Sequence, residues 1–137
     1  MNEKHLYRVK EVYALTGLSR KLLFEYKELV PPAATEYAGD YKLYDSRGLE
    51  KLKLIAALRS IGFEKPDILA WFEEPQDEIR QVRLLQQVKA RLQTQKMKIE
   101  DQLQQLDKVL DAAQNGAPEA LREMLLQALD RSAGTVL

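Results

Sequence analysis

RVKEVYALTGLSRKLLFEYKELVPP, residues 8–32, is the stretch that decides how this chain folds. Val9, Val12 and Tyr13, with Leu15 close by, fall on one helical face. Gly17 then supplies a stop, because glycine takes the left-handed conformation that ends helices without a steric penalty. Ser19 stands where an N-cap belongs, its side-chain oxygen placed to accept from a free N–H of the next turn. Leu22, Leu23 and Tyr26 recur at helical spacing behind it. The second helix must end before Pro31-Pro32, since the residue ahead of a proline is pushed out of the helical region. Two short helices around a glycine turn predict a helix-turn-helix, the arrangement whose second helix enters a DNA major groove. Arg20 and Lys21, in the exposed first turn of that helix, are the groove-facing candidates.

Working outward, the run from Ala33 to Tyr44 holds Thr and Tyr residues, a Gly39-Asp40 turn signal and then Tyr41-Lys42-Leu43-Tyr44 with a period of two. That pattern predicts a β-hairpin, a wing beside the helix pair. Asp45 or Ser46 can cap a third helix, in which Leu49, Leu52, Ile55, Ala56 and Leu58 form an apolar face up to the terminator Gly62. Pro66 suits the first turn of a fourth short helix carrying Ile68, Leu69, Trp71 and Phe72. The Trp71-Phe72 pair reads as core packing in preference to a ligand pocket. A winged domain over residues 1–74 is the result.

From Gln76 to Ala113 there is neither proline nor glycine. About 38 helical residues at roughly 1.5 Å each reach on the order of 57 Å. With Leu85 at heptad position a, Leu92, Ile99 and Leu106 also fall at a, and Val88 and Val109 at d. Gln95 and Gln102 interrupt the d row, while Leu103 and Leu110 widen the stripe. An apolar stripe on a lone helix would stand in water, so residues 75–114 are read as a dimerisation helix, pairing as an antiparallel coiled coil through Leu85, Val88, Leu92, Ile99, Leu106 and Val109. Asn115-Gly116-Ala117-Pro118 breaks the pattern. Within the last segment, 117–137, a short C-terminal helix over 119–130 is expected to lie against Leu103, Leu110 or a partner chain, followed by a frayed tail. The fold class is mainly α.

Composition narrows the function. The chain of 137 residues has no cysteine and one histidine, His5, which argues against disulfides, thiolate metal sites, a zinc centre and a histidine relay. No glycine-rich phosphate loop is present, and Glu73-Glu74 and Glu100-Asp101 read as solvated faces, so an enzyme is not expected and no cofactor is assigned. No apolar leader or membrane-length run occurs, which points to a cytoplasmic protein. Net charge is zero, but residues 1–65 hold 12 Lys and Arg against 9 Asp and Glu, leaving the opposite excess in the remainder. The positive half is the one with the helix-turn-helix.

Taken in order, Tyr7-Arg8-Val9-Lys10-Glu11-Val12, Thr16-Gly17-Leu18-Ser19, Tyr26, Tyr41-Lys42-Leu43-Tyr44 and Leu58-Arg59 followed by Ile61-Gly62-Phe63 resemble the MerR family of bacterial transcription regulators. The resemblance covers residues 7–72. It implies a dimer on double-stranded DNA, gripping an inverted repeat in a promoter and distorting the spacer so that RNA polymerase engages. It also implies DNA contacts from Ser19, Arg20, Lys21, Tyr26, Lys42 and Tyr44, with Lys42 on phosphate. Inducers that family members sense through cysteines are disfavoured here, and the effector is unknown. The chain departs from the family at Leu22, where a small residue is usual, at Phe24, where arginine is usual, and at Glu25, where an aromatic is common. An apolar, acidic recognition helix also fits an alternative: a winged-helix protein-interaction module, an adaptor or anti-regulator that no longer reads DNA.

Overall fold

The computed structural model describes residues 5–36, 41–116 and 118–136, the side chains of 118 and 131–136 excepted. The element order is β1 (Tyr7–Arg8), α1 (Val9–Thr16), α2 (Arg20–Glu25), β2 (Ala34–Glu36), β3 (Tyr41–Tyr44), α3 (Ser46–Ser60), α4 (Lys65–Trp71), α5 (Glu78–Gln114) and α6 (Pro118–Val136). The chain is mainly helical with a small wing sheet, as its periodicity predicts. The Gly39-Asp40 turn lies outside the described residues.

Local chemistry accounts for the first elements. The Glu11 carboxylate accepts from the Arg8 N–H at 3.0 Å, so the start of α1 is capped from within its own first turn. Gly17 ends α1 at φ 77°, its N–H donating to the Tyr13 carbonyl at 2.8 Å. An added Cβ there would meet nothing within 4 Å, so only backbone strain opposes a side chain. Gly17→Ala is therefore expected to cost about 1 kcal/mol, the usual penalty for an L-residue in the left-handed region, read as a lower midpoint in chemical denaturation. Ser19 caps α2, its Oγ accepting from the Leu22 N–H at 3.3 Å. α2 is shorter than its apolar spacing suggests: it closes at Tyr26, and the N–H groups of Leu29 and Val30 turn back to the Tyr26 carbonyl at 3.0 and 2.9 Å.

The wing has one strand more than the sequence pattern predicts. β3 is central, pairing antiparallel with β2 through Thr35 and Lys42, and with β1 through Tyr7 opposite Tyr44. A two-residue strand such as β1 carries no readable period, which is why the sequence missed it. Asp45 is the cap of α3, accepting from the Gly48 N–H at 2.8 Å. From α3, Leu49, Leu52, Ile55 and Leu58 enter a core shared with Val12, Leu23 and Ile68. Trp71 packs edge-on to Phe63 at 5.7 Å, in keeping with a core role. Glu73 and Glu74 lie past the end of α4, not on a helix.

Two compact units, Met1–Val88 and Lys89–Leu137, divide within α5. In the first, Arg80 donates to the carbonyls of Glu73 and Pro75, tying the start of α5 to the segment before it. Val88, expected in an intermolecular seam, is instead 3% exposed and belongs to this unit's core. In the second, the half-buried positions among the described residues are Arg91, Gln105, Val109 and Ala112 of α5 and Leu121, Met124 and Ala128 of α6, the last three on each helix at helical spacing. Leu103 and Leu110, the expected seat of the last helix, remain exposed. α6 is also longer than expected, continuing to Val136 where a frayed tail was anticipated. No helix among the described residues is long and apolar enough to cross a membrane.

Candidate nucleic-acid interface

α2 is anchored to the core by Leu23, with Leu22 packed against that core, while Arg20, Lys21 and Phe24 are exposed. Spacing of three and four residues puts Phe24 beside both basic residues of the first turn, and Lys27 follows after another three. β3 brings in Lys42 from the wing. Together these side chains line a groove of about 420 Å³, in which Val9, Leu23, Pro32 and Tyr44 also take part. The Lys27 ammonium stands 4.1 Å from the centre of the Phe24 ring, and that of Lys42 at 5.7 Å. Four cations and no carboxylate are among the described lining residues. Glu25, whose charge would repel phosphate, does not line the groove. A concave surface carrying one sign of charge concentrates counterions, and the natural ligand of such a surface is a polyanion.

Of the six residues expected to meet DNA, the fold brings Arg20, Lys21 and Lys42 together on one surface. Ser19 adjoins them, but its oxygen already serves as the α2 cap. Tyr26 requires correction, whereas Tyr44 borders the groove but is almost wholly covered. Tyr26 is 1% exposed, in the middle of the core, with its hydroxyl oxygen accepting from the Arg59 guanidinium at 3.3 Å. Tyr44 is 2% exposed, and burial pushes its phenol above the ordinary 10.0. Tyr26, just past the end of α2, and Tyr44, at the end of β3, both belong to the apolar core. Tyr26→Phe is accordingly expected to leave DNA affinity unchanged while lowering stability by about 1 kcal/mol for the lost hydrogen bond, a pair of outcomes separated by a binding titration and a thermal melt.

Two groove residues escaped the sequence reading: Lys27, and Phe24 as a neighbour of the cations instead of a substitute for them. The signal was present in the three-residue spacing of Lys21, Phe24 and Lys27. The approach of Lys42 was not, because only the wing's docking beside α2 creates it.

Over 120 residues the chain is 30% identical to the HTH-type transcriptional activator mta of Bacillus subtilis (strain 168), a match covering 86% of this chain and 46% of that protein. The chain thus spans a little under half the length of this relative. A transcriptional regulator of the MerR family from Bacillus cereus superposes with a TM-score of 0.73 at 17% identity, over 94% of this chain and 99% of that one. No protein-family model matches the chain. The fold is that of a MerR family regulator, and the resemblance carried by residues 7–72 extends from sequence to architecture.

Proposed function

We propose that this chain, which has the fold of MerR family transcriptional regulators, is itself a DNA-binding regulator of transcription and acts as a homodimer. The observation that carries the reading is the convergence of Arg20, Lys21, Lys27 and Lys42 on one groove between helix and wing. In this reading α2 enters the major groove, while Lys42 and the wing follow the phosphate backbone. Two such surfaces in a symmetric dimer match an inverted repeat. Distortion of the promoter spacer, which brings RNA polymerase onto both promoter elements, would add selectivity at base pairs the protein never touches.

The second unit supports the pairing of chains. Leu92, Ile99, Leu103, Leu106 and Leu110 are all exposed along α5, an apolar row at heptad positions a and e. The d residue Val109 is half-buried within its own unit, so the row left for a partner is a and e rather than a and d. Selection of bound duplexes from a random pool tests the whole proposal: an inverted-repeat consensus bound with steep salt dependence supports it, and failure to enrich any sequence at moderate salt refutes it.

Phe24, more than half exposed at the centre of the groove, favours a second reading, in which this surface docks a protein. Enrichment of no duplex, together with capture of an acidic polypeptide on the same groove, is the result that would favour it.

A further inference from the structure

We infer that Phe24 reads thymine: it packs its ring against the C5-methyl groups at one position of each half-site. This rests on the DNA-binding reading and adds to it a specificity-determining residue.

Phe24 is 56% exposed, in the middle of the surface that carries Arg20, Lys21, Lys27 and Lys42. A phenyl ring has neither donor nor acceptor, so it contributes nothing to hydrogen-bonded readout. Placed against a polar base edge, it would bury that edge's acceptors unpaired. The major groove offers one apolar feature, the thymine methyl, which distinguishes thymine from cytosine and from uracil. The two lysines make the ring suitable for this contact. Their ammonium groups, 4.1 and 5.7 Å from its centre, tether its orientation by cation–π attraction. As phosphates approach, the same ammoniums have a stronger partner to turn toward, and the ring is uncovered where the bases are. Insertion between base pairs as a wedge is a minor-groove device, whereas Phe24 stands on the helix expected in the major groove.

Selection of duplexes yields a consensus, in which each thymine is then replaced singly by deoxyuridine, a change that removes the methyl and keeps the base pairing. For the unaltered protein, one symmetry-related position is expected to respond, with affinity falling roughly fourfold for one methyl and about fifteenfold for both half-sites, at about 0.8 kcal/mol per buried carbon. Phe24→Ala is expected to bind thymine and deoxyuridine sites equally, and with the same salt slope as the unaltered protein, since no cation is removed. Phe24→Leu, which retains an apolar surface, should keep part of the discrimination. Equal binding of every deoxyuridine duplex by the unaltered protein overturns the inference and leaves the regulator reading standing, as does discrimination that survives in Phe24→Ala. A selection that enriches no sequence overturns both.

Discussion

Reversing both charges at the start of α2, Arg20→Glu with Lys21→Glu, is expected to weaken DNA binding by on the order of a thousandfold or more. Four cations line the groove of one chain, and the proposed dimer brings eight to the duplex. The double substitution removes four of these. Even at about 1–1.5 kcal/mol for each contact, the upper part of the range for an ordinary hydrogen bond, the loss is roughly 4–6 kcal/mol before the repulsion of four new carboxylates is counted. The salt dependence gives an independent reading. Eight neutralised phosphates predict a slope of log K against log salt near −7, and the variant should retain about half of that or less. Both residues are exposed, and the helix is held by Leu23 and its Ser19 cap, so the variant is expected to melt close to the unaltered protein. Unchanged affinity in a titration at several salt concentrations would remove α2 from the interface.

An effect of similar size is expected from Leu92→Glu combined with Leu106→Glu, read by sedimentation as conversion of dimer to monomer. Both leucines lie on the exposed a row of α5, at 40% and 62% exposure. A stable seam must remove that surface from water, gaining about 25 cal/mol for each Å² of apolar area. A carboxylate in the seam forfeits that gain and must also shed its hydration, a cost of several kcal/mol for each unpaired charge. Two per chain place four in the dimer, against the roughly 8 kcal/mol that holds a micromolar complex together. Because neither side chain is buried in its own unit, the helix content of the chain should be retained. DNA affinity should fall with dimerisation, since a single half-site contributes only half the phosphate contacts. A variant that still sediments as a dimer would move the contact to another face, and an unaltered protein that is monomeric at micromolar concentration would dispose of the pairing altogether.

The α5 result also shows where heptad counting stops being informative. A period of 3.5 identifies which residues share a stripe, but which part of that stripe is covered is decided by tertiary packing within the chain. Val88 was consumed by the core of the winged unit, and Val109 is half covered in the second unit. The a row and Leu103 and Leu110 were left over. The same distinction separates Tyr26 and Tyr44 from Lys42. All three sit in motifs that resemble DNA contacts, yet a tyrosine has an apolar body that a small core recruits, whereas a lysine ammonium is too costly to bury and stays at the surface.

What the sequence by itself determined is the order of the helices and the hairpin: a glycine and a serine punctuating two helices, a period-two run for the wing, and a long stretch without proline or glycine. These are local properties, set by backbone sterics, capping and periodicity within a few residues. Tertiary structure decided which side chains from different elements face outward together. Lys42 is 15 residues from Lys27 in the chain, and only the packing of β3 beside α2 brings both to the ring of Phe24. Convergence of that kind depends on long-range burial of leucines and tyrosines, which no local pattern encodes.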